Sequence, residues 1–226
     1  MDVHSLVLNP LVQIVAIYAL PVLFAITLHE AAHGYVARHF GDRTAHAQGR
    51  ISLNPLRHID LVGTILVPLA ILYLSARFMG GAGILFGWAK PVPVNYSALR
   101  KPRQHMALVA AAGPGANLLM ALAWAIALKL AVLLPALAFS RMLMLMAQAG
   151  IGVNLIFMFL NLIPILPLDG GRITASLLPS RAAWQYSRLE PWGLPLLVLL
   201  LATNVLSFVL DPLVGASDAL IRAIVF

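Results

Sequence analysis

The chain has 226 residues, 61% of them hydrophobic and only 10% charged, with a mean hydropathy of +0.91. Soluble domains carry about 25% charged residues, so the composition excludes an ordinary water-soluble globule and points to an integral membrane protein; the lack of cysteine excludes disulfides and thiolate-ligated metal sites. The formal charge of +7 does not imply nucleic acid, because Arg and Lys cluster between apolar runs, where they face anionic headgroups and orient a chain in a bilayer.

The N-terminus, Met1-Asp2-Val3-His4, has no basic region, so the first apolar run is expected to stay as a helix rather than be removed as a signal. That run, about Leu11 to Phe40, has no charge before His29 and carries Pro21, an expected bend. It ends in His29-Glu30-Ala31-Ala32-His33. Two histidines four apart on a helix lie about 40° apart around its axis, one turn above each other. Both imidazoles can reach one metal ion, with Glu30 projecting beside them toward a water on that ion, which is the mechanics of a His-Glu-x-x-His zinc hydrolase. Glu30 is one of two glutamates in the chain, and ionisable groups at membrane depth are functional by default.

A polar segment follows, Gly41 to Asp60, in which Gly49 to Pro55 alternates briefly and predicts a short strand into a turn. Its His46 and His58, like His105 further on, are expected at the membrane interface. Run two, about Leu61 to Leu74, falls short of the ~20 residues that span a bilayer comfortably. The glycine- and proline-punctuated Ile84 to Asn95 is expected to be an extended, membrane-associated loop, tolerated only where protein or a water cavity covers it.

Run three, about Met106 to Leu134, contains Ala112-Gly113-Pro114-Gly115-Ala116-Asn117. Run four, about Leu143 to Leu168, carries Asn154 and Asn161, seven apart on one face, and ends Pro164-Ile-Leu-Pro167-Leu-Asp169-Gly170-Gly171. Asn154 is expected to bond between helices. Run five, about Leu194 to Leu210, precedes a tail from Pro212 to Phe226 that predicts a short amphipathic helix. The whole predicts an all-α polytopic membrane protein of about five to six membrane helices, with a re-entrant or extended β-like loop between the first and third runs.

A catalytic zinc site takes three protein ligands and keeps a fourth position open. His29 and His33 supply two. Asp169, flanked by helix breakers at the end of run four, suits a carboxylate presented from irregular backbone; as a helix cap it would suit the position too.

The combined motifs resemble the site-2 protease family of intramembrane zinc metalloproteases. His29-Glu30-x-x-His33 and Asn161-x-x-Pro164-x-x-Pro167-Leu168-Asp169-Gly170 match its two signatures, and Gly113-Pro114-x-x-Asn117 matches a softer third. The Gly87 to Asn95 loop is similar to that of the compact prokaryotic branch, which has no PDZ insertion. The resemblance covers about Leu11 to Arg172. It implies one transmembrane metalloprotease domain over 1–226, with a core at 11–172 and C-terminal helices at 191–226. It further implies one zinc ion per chain on His29, His33 and Asp169, with Glu30 as general base. Asn161 would hold substrate backbone or the developing oxyanion, and Asn117 would be a structural or substrate-contacting neighbour.

The implied reaction is hydrolysis of peptide bonds in transmembrane segments of other proteins, in a prokaryotic cell membrane. The extended loop offers an edge to an unwound substrate strand. Eleven of the fifteen basic residues fall on one side if the N-terminus is extracytoplasmic, which puts the metal toward the cytoplasmic face. Matching His33 and Asp169 in depth then requires Leu61 to Asn95 to leave and return on that same side. A non-catalytic zinc scaffold would have no need of Glu30. An ion transporter would need a second intramembrane carboxylate cluster, which the sequence lacks.

Overall fold

The computed structural model describes residues 10–67, 89–135 and 139–226. Among them every regular element is helical and no strand occurs. Three long helices, α1 (Pro10–His39), α2 (Pro102–Leu133) and α3 (Ser140–Leu162), pack against one another. Four shorter ones follow: α4 (Asp169–Leu177), α5 (Ser180–Ser187), α6 (Glu190–Ala202) and α7 (Val205–Val225).

The three long helices are each long and apolar enough to cross a membrane, and the α6–α7 pair, bent by 78°, makes a fourth span if counted as one. The expectation of five to six included run two, whose residues 68–74 lie outside the described residues, as do Ile84 to Trp88 of the extended loop. The part of run two that is described, Leu61–Leu66, is a π-helical turn capped by Asp60, whose carboxylate accepts the N–H groups of Val62 and Gly63. Exposed apolar side chains cover the outside of the bundle, Val15, Leu119 and Phe208 among them. Large exposed apolar side chains in this number suit a membrane surface better than a water-facing one.

Small residues bring the long helices together. Ala121, Ala125 and Ala147 are fully buried in the α2–α3 seam beside Ile151 and Leu155. A Cβ on Gly150 would stand 2.4 Å from Trp124 Cγ, so only glycine lets α3 approach that ring. Asn154 behaves as its position predicts: its Oδ1 accepts from Asn117 Nδ2 at 3.0 Å across the seam.

Two local expectations need correction. Gly49 to Pro55 forms no strand: the stretch has no neighbouring strand to pair with among the described residues, and its polar ties run through side chains. Arg50 donates to the carbonyls of Arg57, Lys90 and Pro91, and Asn54 caps the turn that follows. Run five is not continuous. Asn204 takes a left-handed conformation (φ 59°), which asparagine tolerates better than most residues, and splits α6 from α7. The tail past Pro212 is therefore not a separate helix but the second half of α7.

The prolines act as expected at the end of run four. α3 stops at Leu162, Ile163 is extended, and irregular backbone leads to Asp169. Side chains at Gly170 and Gly171 would meet Leu162 O at 2.1 Å and Leu166 N at 2.5 Å, so the start of α4 is seated directly on that connection.

Candidate metal centre

α1 places His29 and His33 one turn apart, about 15 Å and 9 Å before its C-terminal residue at 1.5 Å per residue. The start of α4 brings Asp169 to them. His29 Nε2 and His33 Nε2 are 3.1 Å apart, and Asp169 Oδ2 is 3.2 Å from the first and 3.3 Å from the second. All three side chains are buried.

Neighbouring groups settle which ring nitrogens are bare. His33 Nδ1 faces the Val109 carbonyl at 2.7 Å, and a carbonyl can only accept, so Nδ1 carries the proton. His29 Nδ1 lies 2.6 Å from Asn117 Oδ1. Asn117 Nδ2 is committed to Ala25 O and Asn154 Oδ1, so its oxygen must face the imidazole and accept. Both Nε2 atoms therefore point lone pairs inward, at each other and at a carboxylate oxygen that is buried without a hydrogen bond. Three acceptors converging without a donor fit a cation. Tetrahedral zinc with ligands at about 2.0–2.1 Å separates neighbouring ligand atoms by about 3.3–3.4 Å, close to the spacing found.

α2 closes the back of the site. A Cβ on Gly113 would lie 2.5 Å from both His29 Cε1 and His33 Nε2, so the glycine admits the rings against the α2 backbone. Asn117, one turn along, is fully buried beneath His29. It holds the ring and does not line the cavity in front of it, which places it as an orienting partner rather than a substrate contact.

The open side is a cavity of about 150 Å³ lined by Glu30, Asn161 and Arg172 together with His29, His33 and Asp169, and walled by Val92 and Pro167. Asn161 Nδ2 gives one of its two hydrogens back to Phe157 O at 3.0 Å. Glu30 Oε2 accepts the N–H of Val92 at 2.7 Å. Val92 belongs to an extended strap, residues 89–95, pinned at both ends: Lys90 N–H donates to His58 O, and Asn95 N–H donates to Asp42 Oδ2 at 2.6 Å.

The chain is 36% identical to a Bacillus subtilis protein named "Putative zinc metalloprotease YwhC", over 88% of this chain and 87% of that one. It is 30% identical to "Putative zinc metalloprotease Rip2" of Mycolicibacterium smegmatis, over 82% of this chain and 66% of that one. The chain belongs to the site-2 protease family. No protein-family model and no solved structure matches it. Within this site-2 protease homologue, the signature residues His29, Glu30, His33, Asn161 and Asp169 all face one cavity, while Asn117 stands behind it.

Three contributors escaped the sequence reading. Val109 acts through its carbonyl and Val92 through its N–H, so neither side chain carries a signal. Arg50, read only as a topology charge, binds the strap carbonyls of Lys90 and Pro91. The interface histidines divide: His58 is buried, with Nε2 on Ser52 O at 2.8 Å, whereas His105 stacks on Phe40.

Proposed function

We propose that the protein is a zinc-dependent endopeptidase that hydrolyses peptide bonds in transmembrane segments of other membrane proteins, near the cytoplasmic face of a prokaryotic cell membrane. The observation that carries this reading is the convergence of two imidazole lone pairs and one unpartnered carboxylate oxygen beside a glutamate in an open cavity. His29, His33 and Asp169 would hold one zinc ion per chain. Bound zinc supplies Lewis acidity, polarising the scissile carbonyl and lowering the pKa of water from 15.7 to about 7.

Glu30 takes the proton of the attacking water and returns it to the leaving amine, a contribution of about 10² to 10⁴ in rate. Asn161 holds substrate backbone or gives its remaining Nδ2 hydrogen to the carbonyl oxygen as negative charge grows on it. The strap excludes bulk water from above and supports an unwound substrate segment alongside it. The N-terminus is extracytoplasmic, so the basic residues flanking the site face the cytoplasm.

Glu30→Gln keeps the shape of the side chain but removes the base. In proteoliposomes with a transmembrane substrate, this variant should retain zinc and lose cleavage. Near-normal turnover by Glu30→Gln would sink the mechanism.

A further inference from the structure

A second cavity, about 320 Å³, adjoins the metal cavity and shares Met106 and Arg172 with it. Tyr96 at the end of the strap, Ser176 of α4, Ser187 of α5 and Glu190 of α6 line the rest. Its size is at the lower end of small-ligand and short-peptide sites. Nothing in the reaction outlined above uses it.

Arg172 stands where the two cavities meet. It follows Asp169 by three residues on α4, so it shares a helix face with a ligand of the metal centre, with Cβ atoms about 5–6 Å apart. The tight seating of Gly170 and Gly171 fixes the backbone that carries it. Its Nε reaches Pro167 O only at a long 3.4 Å, and its terminal nitrogens have neither hydrogen bond nor ion pair among the described residues. Glu190, in the same cavity, forms no ion pair with it, whereas Arg222 pairs with Asp218 at 2.8 Å. Neighbouring arginines are committed: Arg103 donates to the carbonyls of Ser176, Leu177 and Leu178, and Arg100 to that of His39. A guanidinium with a free fork suits a carboxylate, which it can take bidentately.

We propose that the larger cavity is a subsite for the unwound, polar flank of the substrate peptide, and that Arg172 selects an acidic side chain there. This rests on the endopeptidase reading. At 3.3–3.6 Å per extended residue, the acidic position falls within about three residues of the scissile bond. Arg172 is a specificity residue and takes no part in proton transfer.

The test uses full-length protein in detergent and fluorescent peptides that carry Asp, Ala or Lys at successive flanking positions. Binding is measured on the Glu30→Gln background, so that no peptide is consumed. At one position the Asp peptide should bind about tenfold tighter than the Ala peptide, the size expected for a charge-assisted contact. Arg172→Gln should erase the preference, and Arg172→Glu should transfer it to the Lys peptide, with zinc content unchanged in both. Equal binding of Asp and Ala peptides at every position overturns the proposal, as does a preference that survives Arg172→Glu. If wild-type protein cleaves nothing while the charge swap behaves as stated, the endopeptidase reading fails and the subsite stands.

Discussion

Val92 gives its backbone N–H to Glu30 Oε2 at 2.7 Å, and it is the one residue of Pro91-Val92-Pro93 that has an N–H to give. The flanking prolines keep the backbone extended, so the donor is held toward the carboxylate rather than spent in a turn. The strap and the proposed general base are thus coupled by one hydrogen bond. Val92→Pro would preserve the extended conformation and delete the donor. Zinc content should be unchanged, while turnover falls about 10- to 100-fold, as for other outer-shell partners of a metal site. Zinc analysis beside single-turnover cleavage would separate the two effects.

Asn117 holds His29 by its oxygen and Asn154 by its nitrogen. Asn117→Ala should weaken zinc binding about 10- to 100-fold, because the His29 ring loses the acceptor that selects its tautomer. Chelator competition reads this directly. Asn154→Ala, one bond further away, should have a smaller effect on zinc; an equal loss in the two variants would mean that packing, and not ring orientation, is being measured.

Gly113→Ala would ordinarily favour a helix by about 0.5–1 kcal/mol. Here the added methyl would fall 2.5 Å from His33 Nε2. The variant should keep its helical circular dichroism yet bind little zinc, and its activity should drop with the metal rather than with the fold.

Asp42 joins the end of α1 to the strap, accepting the N–H groups of Thr44 at 2.9 Å and Asn95 at 2.6 Å. Burial pushes its carboxyl up, but the hydrogen bonds from Thr44 and Asn95 outweigh burial and hold its pKa below the ordinary 3.8. A depressed pKa contributes stability that is complete above the unfolded value and disappears as pH falls through the folded one. Melting temperature should therefore decline with acidification below about pH 4, where an unperturbed aspartate takes up its proton. Asp42→Asn should be less stable at neutral pH and less sensitive across that acidic window.

Orientation can be read in a chain with no native cysteine. Single cysteines at Ser97 and Ser180, both exposed, should resist a membrane-impermeant thiol reagent on intact cells. A cysteine at Phe139, at the other end of the bundle beside the start of α3, should react. Labelling of Ser97 together with Phe139 would overturn both the proposed orientation and the same-side return of residues 61–95.

Much of the site could be seen in the residues themselves. His29, Glu30 and His33 are fixed relative to one another by helix geometry alone, and Pro164, Pro167, Gly170 and Gly171 mark the break that frees Asp169. The ends of α1 and α2 follow from where the apolar runs stop. Side-chain patterns say little about main-chain donors and acceptors, which is why Val92 and Val109 were invisible. The strand expected at Gly49 to Pro55 failed because local alternation says nothing about whether a partner strand is at hand. The break at Asn204 lay inside a mostly apolar run, where one asparagine does not by itself announce a left-handed residue.

The three candidate ligands arrive from separate pieces of chain: two from α1, held in register by α2, and one from the start of α4 beyond α3. A cation at their meeting point is a rivet through segments that enter the membrane one after another. Without it, buried acceptors oppose each other at the centre of the bundle, and the last segment has less reason to dock. Metal supply would then govern how long a newly made chain survives as well as how fast it works. Pulse-chase lifetimes in zinc-starved cells should shorten for the wild type, and Asp169→Ala should be short-lived whether or not zinc is plentiful.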